Sequence, residues 1–357
     1  MNDIQIPNIS ISNFKCFKEF SIDSFKRFNL IFGKNSVGKS NLLEALYVYC
    51  NMYRSDSIIT ASFLYRDITL DGNLELIFHN FNHTNPINIK TSKKELNIYP
   101  IKSLIYDSLL DGIYYQVRDN NGEIIKLPLL INNTRVLDSS FIPTNNIITF
   151  DSQTVTFSVM YSPLFNFLFL NNYSYSEKII KNNAIETFSE LQNLNMDKIL
   201  IDCMKTIIPN LESIKIQYDK VCEVDIGLDR YLPINSLGSG IYKIFSYIVS
   251  ASFMTNGVLF IDEIDNGFHY SSLRNLWISL FKVCYTNNIQ LFATTYSYEG
   301  IKAFNDVYNE VKNEYNSNDD IQGIRIEADK KEMYKYKAVI YNNEELNNAM
   351  DNWEVDK

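Results

Sequence analysis

Apolar residues cluster in Ile9 to Phe17 and Phe20 to Phe32, which predicts short strands, and Asn41-Leu42-Leu43-Glu44-Ala45-Leu46-Tyr47 then opens a helix to about Tyr53. From about Thr69 to Phe150 the signals are mostly those of strands: Leu74-Glu75-Leu76-Ile77-Phe78, Ile87-Asn88-Ile89, and Ile113 to Val117 joined to Glu123 to Leu127 through Asn120-Asn121-Gly122. Between about Ser174 and Ile208 the period becomes helical, with Leu200, Met204 and Ile207 or Ile208 on one face, before Ile214-Lys215-Ile216 resumes as a strand. The last block predicts a helix from Gly240 to about Phe253, a buried strand Val258-Leu259-Phe260-Ile261, a helix from about Ser271 to Cys284 and a strand Ile289 to Ala293. Such alternation implies a parallel sheet. The expected division is residues 1–58 and 223–357 as two parts of one α/β head, 59–150 as a β-rich lobe and 151–222 as a helical lid or arm.

The length, 357 residues, admits one large domain with an inserted lobe or two ordinary domains. A net charge of −9 argues against a surface that coats nucleic acid non-specifically, because that binding is carried largely by Lys and Arg, and leaves open a local basic groove. Cys16, Cys50, Cys203, Cys222 and Cys284 are scattered without a C-x-x-C pair, the pattern of small buried hydrophobes in a reducing compartment. The start, Met1-Asn2-Asp3-Ile4, has neither a basic nor an apolar leader, and the strongest apolar stretch, Phe157 to Leu170, is broken by Pro163 and Asn166. A cytoplasmic protein without a membrane span is expected.

Gly33-Lys34-Asn35-Ser36-Val37-Gly38-Lys39-Ser40 lies between a predicted strand and a predicted helix. Two glycines let backbone N–H groups wrap a phosphate, Lys39 reaches the β and γ oxygens, and the Ser40 hydroxyl can ligate Mg²⁺ at a helix N-terminus. The loop thus implies a bound nucleoside triphosphate. Asp262 and Glu263 end the apolar strand where α/β sheets place their ligands. Asp262 would hold Mg²⁺ through its water shell, and Glu263 would orient or deprotonate the attacking water. Ser236-Leu237-Gly238-Ser239-Gly240 precedes the helix at 241–253 and reads either as an anion site or as a glycine-rich helix start capped by serine.

With these segments in order, the chain resembles the ABC-type ATPases of the SMC, RecF and OLD group. Ile9-Ser10-Ile11-Ser12-Asn13-Phe14-Lys15-Cys16-Phe17 is similar to their "I-x-N-F-[KR]-x-F" opening, and Gly33 to Tyr47 to their "G-x-N-x-x-G-K-S-N-[IL]-L-E-A-[IL]" loop. Leu237-Gly238-Ser239-Gly240 takes the position of the LSGGQ-like signature, Asp262 to His269 resembles "D-E-[IP]-E-x-x-L-H", and Phe292 to Ser297 resembles the switch loop "x-x-T-T-H-S". The resemblance is strongest to the compact stand-alone AAA-type ATPases of bacterial phage-defence and overcoming-lysogenisation systems. It implies an ABC-type P-loop ATPase head with a mixed sheet, a β-rich lobe and a helical lid insertion. ATP and Mg²⁺ would then be sandwiched between two subunits, with Gly238, Ser239 and Gly240 of one facing the phosphate loop of the other.

Tyr296 stands where these relatives have a histidine; its phenol can donate a hydrogen bond to a γ-phosphate but cannot act as an imidazole, so hydrolysis is expected to be slow. The residues place no glutamine loop, although Phe141-Ile142-Pro143-Thr144 lies where the lobe of these relatives returns to the sheet. His79 and His83, four apart, are a weak candidate metal pair, and His269 is expected to position a neighbouring subunit's loop. Only Ser297 to Lys357 follow the switch, so the chain is expected to lack the nuclease domain of OLD proteins. The leading expectation is therefore a homodimeric or higher-order ATPase acting as sensor or motor for a separate nuclease or toxin in anti-phage defence. The alternatives are a RecF- or SMC-like DNA-binding ATPase of repair or recombination and, less in keeping with the opening segment, the ATPase of a membrane transporter.

Overall fold

The computed structural model describes residues 4–53, 73–102, 110–118, 122, 124–130, 167–170, 184, 185, 188, 189, 191–193, 195, 197–217, 221–316, 319–329, 332 and 335–352. The chain opens with β1 (Ile9–Phe14), β2 (Phe17–Ile22), β3 (Phe28–Phe32) and α1 (Lys39–Cys50). Then come β4 (Ile87–Lys90), β5 (Glu95–Lys102), β6 (Leu110–Arg118), β7 (Ile124–Leu130) and β8 (Phe167–Leu170). The middle carries α2 (Lys198–Ile207), β9 (Ser213–Ile216), β10 (Cys222–Asp225), β11 (Leu232–Pro233), α3 (Ser239–Phe253) and β12 (Val258–Ile261). The last part holds α4 (Tyr270–Asn287), β13 (Gln290–Thr294), α5 (Tyr298–Val311), β14 (Ile321–Ala328), β15 (Tyr336–Tyr341) and α6 (Asn343–Asn352).

The central sheet is mixed, in the order β15-β14-β3-β13-β12-β8. Its strands from β14 to β8 run parallel, and β15 is antiparallel to β14 at one edge. Side chains of a strand alternate between faces, and here each face meets its own core. Phe28, Leu30 and Phe32 of β3, Leu259 and Ile261 of β12, and Leu291 and Ala293 of β13 join α3, α4 and α5 on one side. Ile31, Val258, Phe260 and Phe292 join α1 and the strands β1, β2, β4, β5 and β6 on the other. The buried polar Asn29 on that second face keeps its amide satisfied by donating to Lys26 O at 2.7 Å and Leu291 O at 3.1 Å.

A second sheet is wholly antiparallel, in the order β2-β1-β4-β5-β6-β7, so the two opening strands and the β-rich segment share one layer. β6 pairs with β7 as the sequence pattern predicts, while Asn120 and Asn121 of the expected turn lie outside the described residues. A small sheet β11-β10-β9 completes the strands.

Several expectations are corrected. Leu74 to Phe78, read as a strand, is a 3-10 turn over Leu74–Ile77, followed by another over His79–Phe81. The reason is packing: Leu74 and Ile77, three apart, are both buried, and the free carbonyl of Ile77 accepts the N–H of Lys15 at 2.9 Å. His79 Nδ1 lies 2.9 Å from Lys15 O and His83 Nδ1 lies 3.2 Å from Phe81 O, so the two rings serve local backbone rather than a shared metal. Within the 151–222 span expected as a helical lid, Phe167–Leu170 is instead an edge strand paired in parallel with β12, while α2 is helical as expected. The sequence pattern did not anticipate β14 and β15, which extend the central sheet beyond β3.

The five cysteines are free thiols. Among the described residues no helix is long and apolar enough to cross a membrane. The C-terminal helix α6 docks on α5 through asparagines: Asn305 and Asn309 both donate to Asn347 Oδ1, at 2.6 and 2.8 Å.

Candidate functional site

The loop 33–38 joins the C-terminal end of β3 to α1, and two of its glycines are demanded by geometry. Gly33 has φ +141°, and a Cβ there would lie 2.6 Å from Ile326 O. Gly38 has φ +97°, and a Cβ there would lie 2.6 Å from Cys16 Sγ and 2.9 Å from Phe17 Cζ. Positive φ and crowding of this kind admit only glycine without strain. The turn between β1 and β2 is thus the floor of the loop. It is fixed to α1 by an ion pair between Lys15 and Glu44, whose carboxylate is almost wholly buried. The opening segment and the helix after the loop are therefore one structural unit.

Helix α1 starts at Lys39 with no acidic residue in its first turn and no side-chain cap, which leaves its N-terminal N–H groups and positive dipole end turned to the loop. Lys39 Nζ donates to Gly33 O and Lys34 O, each at 2.9 Å, folding back over the loop it belongs to. Burial pulls its pKa down, and the charges of Asp262, Glu263 and Asp265 oppose that shift. Lys34, Asn35 and Ser36 are exposed, Val37 is buried beneath the loop, and Ser40 lies in the first turn of α1.

Asp262 and Glu263 follow β12 two strands away from β3, with β13 between. Asp262 is buried and accepts a hydrogen bond at Oδ1 from Thr294 Oγ1, 2.5 Å away. The same hydroxyl oxygen accepts the N–H of Glu263 at 2.7 Å. Thr294, the last residue of β13, therefore holds both carboxylate-bearing residues at once. Glu263 sits at φ 50°, an uncommon conformation for a non-glycine residue, and its pKa is raised by burial and by Asp262. Asp265 adds a third carboxylate, whose buried Oδ1 has no hydrogen-bond partner.

Tyr296 follows β13 and is 56% exposed, so its ring is not a core filler. Its phenol is held above the ordinary range chiefly by the charge of Asp265, with burial and Glu263 adding to it. The residue expected at the switch thus lies on the acidic side of the site. His269 is exposed and caps α4 by accepting the N–H of Ser271 at Nδ1.

The signature-like turn forms a short 3-10 helix, Ile234–Leu237, then Gly238 at φ 118° and the start of α3. Nothing lies within 4 Å of a Cβ built on Gly238, whereas Gly240 faces the ring of Phe268 at 3.6 Å. Helix α3 also begins without an acidic residue or a side-chain cap.

The loop at 33–38, Tyr296 and the Asp262-Glu263 pair thus sit at the C-terminal ends of three neighbouring parallel strands, β3, β13 and β12, while the signature-like turn lies at the start of α3. Ser40 and Asp262 offer a hydroxyl and a carboxylate, the hard oxygen donors that would suit Mg²⁺. Among the described residues no group of three or more His, Cys, Asp and Glu side chains is placed to hold a metal by itself. Phe141 to Thr144 lies outside the described residues. The position of Thr294 as shared anchor, the third carboxylate of Asp265 and the contacts of α3 with the turn after Glu263 were not read from sequence. A hydroxyl residue closing an otherwise apolar strand is the signal that Thr294 offered.

Residues 133–299 match a family model described as "AAA domain, putative AbiEii toxin, Type IV TA system". An ATP/GTP phosphatase of Helicobacter pylori is 25% identical over 337 residues, 85% of this chain and 89% of that protein. Among solved structures, an SMC head bound to the C-terminal winged-helix domain of ScpA aligns with TM-score 0.46 and 13% identity over 97% of this chain and 99% of that one. An SMC head from Pyrococcus furiosus with an extended coiled coil, bound to the C-terminal domain of ScpA, aligns with TM-score 0.47 and 11% identity over 97% and 98%. Together with the phosphate loop and its facing carboxylates, the AAA-domain match and the phosphatase relative support an ATPase.

Proposed function

We propose that two copies of this chain close around ATP and Mg²⁺, and that hydrolysis switches a separate effector, a nuclease or toxin, in anti-phage defence. The observation that carries the ATPase chemistry is the pairing of Asp262 and Glu263 through Thr294 beside a loop built on Gly33, Gly38 and Lys39. Lys39 would exchange its carbonyl partners for the β and γ oxygens, and the N–H groups at the start of α1 would wrap the phosphates. Ser40 and Asp262 would hold Mg²⁺, which would offset the charge that develops in phosphoryl transfer. Glu263, with its raised pKa, is suited to take a proton from the attacking water, and Tyr296 offers a hydroxyl donor on the same side.

The bare start of α3 at Gly238, Ser239 and Gly240 supports a second phosphate contact supplied by the partner copy. On this reading residues 1–58 and 223–357, with the edge strand Phe167–Leu170, form the head, 59–150 the β-rich lobe and the rest of 151–222 a lid or arm. The family description names a type IV toxin–antitoxin system, a two-component setting that supports a companion protein.

Two variants test the reading. Lys39→Ala should abolish ATP binding in calorimetry; unchanged affinity would remove the central claim. Glu263→Gln should bind ATP and accumulate as a nucleotide-bridged dimer in light scattering. A persistent monomer would sink the sandwich. The purified chain alone should leave plasmid, linear DNA and tRNA intact, and a co-encoded protein should co-purify with it.

A further inference from the structure

The turn that carries Glu263 is anchored at two ends. At the sheet end Thr294 holds it, through its hydroxyl to Glu263 N and through its carbonyl, which accepts the N–H of Ile264 at 2.9 Å. At the far end it is held by α3, the helix that begins at the signature-like glycines. Lys243, one turn into α3 from Ser239, donates from Nζ to Asn266 O at 2.7 Å and lies 5.2 Å over the ring of Phe268. Gly240, on the first turn of the same helix, faces that ring. A charged donor on a carbonyl is among the stronger hydrogen bonds, and the ring contact adds to it.

Asn266 is also the residue that touches Glu263. Its N–H donates to Glu263 O at 3.0 Å, and its side-chain amide lies 3.4 Å from Glu263 Oε2. A short path therefore runs from the start of α3 through Lys243 and Asn266 to the carboxylate assigned to water. Were α3 to shift as a unit when a phosphate engages its N-terminus, Lys243 would carry the shift to a turn whose Glu263 is held in an uncommon backbone conformation.

We propose that Lys243 is a positioning residue that couples engagement of the signature-bearing end of α3, by the nucleotide of a second copy, to the placement of Glu263 in its own site. The inference rests on the ATP-sandwich reading above. Each site would then report to the other through the two copies of α3, and hydrolysis would be cooperative in ATP.

The test uses the full chain with Lys243→Met, Lys243→Arg and Asn266→Ala, read by steady-state ATPase kinetics, ATP binding and thermal melting. Lys243→Met should keep ATP affinity and melting temperature while kcat falls by about 5- to 150-fold, the usual span of a coupling between sites, and the cooperativity disappears. Lys243→Arg should restore most of the rate. Asn266→Ala should reproduce the kcat loss without touching the lysine, and the double variant should be no slower than either single one. Unchanged kcat in Lys243→Met, additive losses in the double variant, or a rate loss matched by lost ATP affinity or a lower melting temperature would overturn the proposal. An ATP-bridged dimer of Glu263→Gln combined with an unaltered Lys243→Met rate rejects this inference alone; absence of the dimer rejects it together with the sandwich.

Discussion

Thr294 and Asp262 share a 2.5 Å hydrogen bond at the carboxyl ends of adjacent strands, and the same threonine oxygen accepts the N–H of Glu263. Thr294→Val preserves shape and removes the hydroxyl. The buried Asp262 loses a donor, so the variant should unfold about 1–3 kcal/mol more easily in urea. A shift of about 1 Å in the carboxylates can lower kcat on the order of 100-fold. Thr294→Ser should recover most of both losses. Wild-type turnover in the valine variant would show that the bridge does not place the catalytic pair.

The Lys15–Glu44 pair joins the opening turn to α1, with side-chain exposures of 12% and 2%. Removing the lysine takes away the opposite charge beside a buried carboxylate, so Lys15→Met should cost up to about 3–5 kcal/mol. Lys15→Met combined with Glu44→Leu should recover most of that loss, because a well-packed apolar pair replaces the ions. Denaturation midpoints of the two singles and the double measure the coupling, and strict additivity would contradict it.

Gly33→Ala forces a methyl to within 2.6 Å of Ile326 O at a backbone angle of φ +141°. Strain of this sort costs about 1–3 kcal/mol. Because Ile326 belongs to β14, relief must come from moving the loop off the sheet. ATP binding should therefore weaken along with the melting temperature, and an alanine variant with unaltered binding would argue that the loop does not seat the phosphates.

At 56% exposure Tyr296 contributes little to the core, so its substitutions should leave stability unchanged. Losing a preorganised transition-state donor can cost on the order of 100-fold in rate. Tyr296→Phe should lower kcat with little change in ATP affinity, and Tyr296→His should raise it. Equal turnover of wild type, Phe and His variants would leave the hydroxyl without a role.

The parts of the site that could be read from sequence are those whose chemistry is contiguous. The loop at Gly33 to Ser40 and the Asp262-Glu263 pair at a strand end stand out within a few residues, because a glycine loop between strand and helix or a carboxylate pair after an apolar strand is a local object, whereas Gly238 to Gly240 reads in sequence as either an anion site or a plain helix start. What escaped is set by neighbours distant in the chain. Phe167–Leu170 is too short to announce which strand it pairs with, and only β12 makes it part of the central sheet. The apolar spacing of Leu74 to Phe78 fits a strand as well as a 3-10 turn, and the contact with Lys15 selects the turn. Ile324-Arg325-Ile326 alternates as a strand should, a local signal for β14. Thr294 was visible as a residue but not as a bridge, since its partners come from the next strand.

The placement of β13 between β3 and β12 has a consequence for charge. Strands lie about 4.8 Å apart, so one intervening strand holds the lysine's strand and the carboxylates' strand about 9–10 Å from each other. Were the two strands adjacent, Lys39 would pair with Asp262 and quench itself, and a triphosphate would have to break that ion pair to enter. With β13 as spacer, Lys39 rests on the neutral carbonyls of Gly33 and Lys34, partners that an anion displaces at little electrostatic cost. The order of three strands thus leaves the cation of the loop on partners that an anion can displace, as the proposed triphosphate site requires.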